Sequence, residues 1–107
     1  MTSTKSAKAQ RTNLPRTSNR SKAFAKDWER LSHSGRYDMH RLKTVMLLLI
    51  GNETPLPAEY LDHALAGDWD DYRECHVGGD FLLIYQLPDS QSVLFARAGT
   101  HSELFGR

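Results

Sequence analysis

Apolar side chains recur at helical spacing early in the chain. Phe24, Trp28 and Leu31 stand at i, i+4 and i+7, the period that gathers them on one face of an α-helix. Asn19 or Ser21 supplies an N-cap, and Ser34-Gly35 supplies a stop. A second helix follows at once. Asp38 caps it, Leu42, Val45, Met46, Leu49 and Ile50 mark its buried face, and Gly51-Asn52 ends it. The short link between the two helices predicts an antiparallel hairpin.

Residues 53–71 lose periodicity and contain Pro55, Pro57 and Gly67, which predicts an extended connection over the surface. From Tyr72 onward the pattern becomes that of strands, over 72–77, 81–87 and 92–98. Gly78-Gly79 and Pro88-Asp89 supply the turns. Residues 14–17 read as a short edge strand, where Pro15 removes no inward ladder bond. The order strand, helix, helix, three strands predicts an α+β domain. In it, a helical hairpin packs on one face of a small antiparallel sheet and leaves the other face open.

With 107 residues the chain has material for one modest core. The expectation is one domain over 12–107, preceded by a disordered basic tail over 1–11 (MTSTKSAKAQR), which has nothing to bury. The longest apolar run, Val45 to Ile50, is far short of the roughly 20 residues that span a bilayer. The basic N-terminus lacks an apolar signal core, and the lone Cys75 has no internal disulfide partner. Together these predict a cytoplasmic protein with no membrane association.

The net charge of +1 conceals an asymmetry. Seven of the 14 Lys and Arg precede Asp27, the first acid. The rest of the chain carries seven basic side chains against 13 acidic ones, a net −6. An RNA-binding module that works through phosphate charge alone needs a basic folded face, so that class is disfavoured. An enzyme whose substrate is presented by a larger assembly is not.

Three of the five histidines, His63, His76 and His101, follow the helices, in the connection, near a strand end and just past the last strand. Imidazole exchanges protons near neutral pH, so several on one sheet face suit acid-base work on a phosphodiester. Arg97 is the candidate for stabilising charge on phosphate oxygens. His33 and His40, in and between the helices, read as solvated. A zinc site from Cys75 and the histidines is disfavoured, because neighbours on a strand point to opposite faces.

The order of motifs resembles a known family. Leu-Pro-Ala-Glu-Tyr-Leu-Asp-His (56 to 63), Gly-Asp-Trp (67 to 69), Tyr-Arg-Glu-Cys-His-Val (72 to 77), Asp80, Leu-Leu-Ile-Tyr (82 to 85) and Ala-Arg-Ala-Gly-Thr-His-Ser-Glu-Leu-Phe-Gly (96 to 106) are similar to the pattern of YafQ-like toxins of the RelE family. The resemblance covers about residues 14–107. It implies a RelE-like microbial RNase fold and a toxin of a type II toxin–antitoxin system. Such a toxin cleaves mRNA in the ribosomal A site, stops translation, and is held inactive by a cognate antitoxin in a hetero-oligomer.

Carried over residue by residue, the resemblance places catalysis on His63, His76, Asp80, Arg97 and His101, with Phe105 helping to place substrate. Phe81 stands where family members often have tryptophan, and is a candidate for substrate contact. The implied reaction is attack by the RNA's own 2′-hydroxyl, which requires no metal or other cofactor. His101 would protonate the 5′-oxygen, Asp80 or His63 would take the 2′-proton, and Arg97 with His76 would stabilise the phosphorane. Arg36, Arg41 and Lys43 on the hairpin are candidates for docking on the ribosome and its mRNA, offsetting the acidic body.

One geometric expectation follows for the Gly78-Gly79 turn. A strict two-residue turn there would put His76 and Asp80 on opposite faces, whereas a three-residue loop over 77–79, with Gly79 left-handed, pairs them on one face. The second is expected. The alternatives from other classes are a toxin of the same fold that binds a protein such as DNA gyrase, whose relatives lack the histidine set, and an inactive antitoxin-binding relative.

Overall fold

A computed structural model describes residues 14–52 and 55–106, and the tail expected over 1–11 lies outside the described residues. Strand β1 spans Thr17–Arg20, helix α1 Lys22–Ser34 and helix α2 Met39–Ile50. The connection then makes a 3-10 turn at Ala58–Tyr60, a two-residue strand β2 (His63–Ala64) and a second 3-10 turn at Gly67–Trp69. Strands β3 (Arg73–Gly78), β4 (Phe81–Gln86) and β5 (Ser92–Gly99) lead to a short final helix α3, His101–Phe105.

The caps explain the helices. Ser21 accepts the Phe24 amide through its hydroxyl, and Gly35 ends α1 with φ 70°, a conformation that suits a residue without Cβ. The Asp38 carboxylate accepts the Arg41 amide at the start of α2. At the other end of α2, Asn52 rather than Gly51 takes the left-handed φ, at 62°. The buried Arg16 donates to the Leu49 carbonyl at 2.8 Å, where a cation complements the exposed carbonyls of a helix end.

The sheet order is β1-β5-β4-β3-β2, with β1 parallel to β5 and the other pairs antiparallel. The first strand lies three residues later than expected, because β1 continues directly into the cap of α1. The connection is likewise not structureless, since β2 adds a fifth strand beside β3. β1 pairs with only Ser92 to Phe95. Beyond it α1 closes the open edge of β5. The Ser21 hydroxyl donates to the Ala96 carbonyl at 2.7 Å, and the Asp27 carboxylate accepts the Ala98 amide at 3.0 Å.

The two faces of the sheet differ. On one, Phe24, Leu31, Leu42, Val45 and Leu49 of the helices pack on Cys75, Val77, Phe81, Leu83, Tyr85, Val93 and Phe95. Each such side chain contributes roughly 1.5–3 kcal/mol when fully buried, so this layer carries most of the stability. The other face has a small cluster, Leu82, Ile84 and Ala96 under Leu104 of α3, flanked by Leu65, Trp69, Tyr72 and Phe105. The rest of that face is polar.

Candidate active site

Alternation along β3 puts Glu74 and His76 on the polar face, while Cys75 and Val77 turn toward the helices. Register then completes the group. His63 of β2 lies opposite Glu74, and His76 opposite Leu82. The Thr100 and Glu103 side chains form a reciprocal capping box at the start of α3, which fixes His101 in its first turn.

Three imidazoles surround one carboxylate. Glu74 Oε1 is 3.7 Å from His63 Nε2, and Oε2 is 3.9 Å from His76 Nε2 and 3.5 Å from His101 Nε2. The Glu74 side chain is 4% exposed, against 50% for His63, 23% for His76 and 48% for His101. These separations exceed hydrogen-bond length, so the buried charge acts on the imidazoles across space.

Each Nδ1 has an acceptor of its own. His63 Nδ1 is 2.8 Å from the Leu61 carbonyl, His76 Nδ1 is 3.0 Å from the Gly79 carbonyl, and His101 Nδ1 is 2.6 Å from Asp80 Oδ1. A carbonyl or carboxylate oxygen only accepts, so Nδ1 carries the hydrogen in all three rings. Nε2 is left to exchange protons with substrate. Asp80 also accepts the His101 amide, at 3.2 Å. Donation from the His101 imidazole, and then from its backbone, holds the Asp80 carboxyl below the usual carboxylate range.

His63, His76, Asp80 and His101 are thus brought together, by a different turn from the expected one. Gly78 pairs with Phe81 and His76 with Leu82, leaving Val77 as a bulge and Gly79-Asp80 as a two-residue turn. Gly79 is left-handed, with φ 56°, as expected. Asp80 has no place in the ladder opposite His76, and reaches His101 from the turn instead.

Phe81 lies on the helix side of the sheet. Its side chain is mostly buried there, 5.0 Å from the Tyr37 ring, and it lines the cleft that holds Arg36 and Arg41 rather than the polar face. Arg97 is not among the groups around Glu74 either. Its Nε and Nη2 donate to Asp27 at 2.7 and 3.2 Å, and this pairing raises its already high pKa. The buried Asp27 also faces Arg30 at 3.4 Å.

The hairpin cations divide. Arg36 and Arg41 line a cleft of about 360 Å³ with Tyr37, Gly78, Asp80 and Thr100, beside His101. Arg41 is partly committed, since it donates to the Val77 carbonyl and to Glu59. Lys43 stands over the Trp28 ring, 5.9 Å from its centroid. Phe105 lies on the other side of His101, their rings 5.9 Å apart, and lines a larger cleft with Trp69. Cys75 is fully buried under the helices, away from His76, which separates it from any shared metal site.

Glu74 is the group that sequence reasoning missed. Its place two residues before His76 on an alternating strand was the available signal. A second missed device anchors His63. Asp62 accepts from Arg73 Nη2 at 3.0 Å and from the Tyr85 hydroxyl at 2.5 Å, tying the start of β2 to β3 and β4.

A family model described as the YafQ bacterial toxin of type II toxin-antitoxin systems matches residues 16–106. The mRNA interferase toxin YafQ of Escherichia coli K12 is 48% identical over 83 residues, 78% of this chain and 88% of that protein. The crystal structure of YafQ from Escherichia coli BL21(DE3) has a TM-score of 0.78 at 45% identity, covering 85% of this chain and 99% of that one. YafQ in the Escherichia coli DinJ–YafQ toxin–antitoxin complex gives 0.77 at 45% identity, over 87% and 100%. A match along nearly the whole described length, in sequence and in fold, shows that this chain belongs to the YafQ family of bacterial type II toxin–antitoxin toxins.

Proposed function

We propose that this chain is an mRNA interferase that cuts mRNA in the ribosomal A site and is neutralised by a cognate antitoxin. The observation that carries the reading is the set of three imidazoles with Nδ1 committed and Nε2 turned toward one buried carboxylate. Such a set holds proton donors and acceptors in fixed orientation beside an open cleft.

Cleavage follows from attack of a 2′-hydroxyl on the adjacent phosphorus, forming a 2′,3′-cyclic phosphate and expelling the 5′-oxygen. His101, oriented by Asp80, gives its Nε2 proton to that oxygen. Because Asp80 is engaged with His101, it orients the acid, and the 2′-proton passes to Nε2 of His63. His76 supplies positive charge to the phosphorane, and Glu74 balances the cations between turnovers. Arg97, neutralised by Asp27, acts by holding the end of β5 that leads into α3.

The ribosome supplies what the acidic body lacks. Arg36 and Arg41, lining the cleft beside Asp80, meet the phosphates of the presented strand. Among the described residues no helix is long and apolar enough to cross a membrane, and the reading places the toxin in the cytoplasm with its substrate.

Primer extension on an mRNA translated in vitro tests this. Wild type produces cuts only when ribosomes translate, and His101→Ala abolishes them. Intact mRNA together with altered DNA supercoiling would overturn it.

A further inference from the structure

We propose that the cleft lined by Trp69 and Phe105 receives one unstacked nucleobase beside the cut, on the open side of these rings, and that Asp68 at its edge selects bases presenting an amino group. The inference rests on the RNase reading of the site. The cleft is open, about 830 Å³, and lined by Leu65, Asp68, Trp69, Leu104 and Phe105 together with Glu74 and His101. Because the reactive row forms one of its walls, a phosphate held at His101 puts its neighbouring base at this opening.

The walls suit a base and not a backbone. The Trp69 and Phe105 rings stand edge to face, with centroids 6.3 Å apart, and Tyr72 braces the indole at 5.2 Å. Every nucleobase has a π-face that stacks on such rings. At the edge of the cleft, away from the imidazoles, the Asp68 carboxylate disfavours a second phosphate. The arginines line the opposite cleft, across Asp80 and Thr100. A strand crossing the row therefore lays its phosphates on the arginine side and turns a base toward the aromatic side.

Asp68 sharpens the choice. An ionised carboxylate only accepts hydrogen bonds, so the edge that meets it must donate. Adenine, cytosine and guanine offer an exocyclic amino group, whereas uracil offers a single imide N–H between two carbonyls.

The test maps every cut on a translated mRNA by primer extension for wild type, Trp69→Ala, Trp69→Phe and Asp68→Asn, alongside tryptophan fluorescence titrated with the trinucleotides ApApA and UpUpU. Wild type favours an amino-bearing base at one position next to the cut. Trp69→Ala lowers cutting by about 10- to 100-fold, the worth of one stacked base, and flattens the preference. Trp69→Phe keeps much of it, and Asp68→Asn admits uridine. ApApA quenches wild type more than UpUpU does, and neither quenches Trp69→Phe.

An unchanged cutting pattern in both Trp69→Ala and Asp68→Asn, at whatever rate, overturns the proposal. If Trp69→Ala fails to fold, Asp68→Asn, altered at an exposed position, decides by the same readout. A wild type that cuts nothing yet is quenched selectively by ApApA sinks the RNase reading and keeps the cleft. One that neither cuts nor is quenched overturns both.

Discussion

Glu74 lies directly opposite His63 in the β2–β3 ladder, with its carboxylate 3.7 Å from His63 Nε2 and nearly sealed from water. Glu74→Gln keeps the shape and removes the charge that faces three imidazoles. Translation-dependent cleavage is expected to fall by about 10²-fold, the lower end of what a positioned acid-base group contributes. The thermal midpoint should move little. Rates are to be measured on a defined mRNA, and wild-type activity in this variant would reduce Glu74 to a packing role.

Asp80 makes the closest contact of any group to His101, 2.6 Å from its Nδ1. Its carboxyl is depressed by that hydrogen bond, so the interaction is fully present above the ordinary carboxylate range and is lost as pH falls through the folded-state value. Asp80→Asn should therefore cut activity at neutral pH by about 10²-fold without measurable loss of stability, since both side chains are largely exposed. Imidazole resonances of His101, followed by NMR between wild type and variant, give the structural check.

Asp27 tests the junction of α1 and β5. It is buried, and it accepts from Arg97 and from the Ala98 amide. Asp27→Ala strands these donors and should cost about 2–3 kcal/mol, the range for losing charged hydrogen bonds at a partly buried site. Urea unfolding measures this directly. A cost near zero would mean that water replaces the carboxylate.

Cys75 reports on the helix-side core. Burial pushes its thiol up from 9.0 to about 12. A raised value means that stability is intact below pH 9 and declines as pH climbs toward 12. In the folded protein, iodoacetamide at pH 8 should leave Cys75 unmodified, with labelling only in denaturant. Rapid labelling of the native state would show that the core opens easily.

The helices were legible because their signals are local. Ser21, Gly35 and Asp38 act within one turn, and the apolar period of α2 is unbroken. The site was half legible. His63, His76, Asp80 and His101 have side chains whose chemistry is visible in isolation, but Glu74 reads as an ordinary polar position until register sets it under three imidazoles. Strand β2 is too short for any alternation to show. The turn before Phe81 differs from the expected one because a single bulged residue, Val77, shifts the register. The Asp27 partner of Arg97 was invisible because it lies 70 residues away. In each miss the deciding contact was distant in the chain or one residue of register wide.

Strand β1 consists of Thr17, Ser18, Asn19 and Arg20, all exposed, at the margin of the sheet. A margin invites another chain to zip onto its free amides and carbonyls. Here it is four residues long and has no apolar side chain to bury, so such zipping gains little. The strand thus braces β5, and through it the end of the sheet that holds His101, while leaving neighbouring copies of the toxin little reason to adhere.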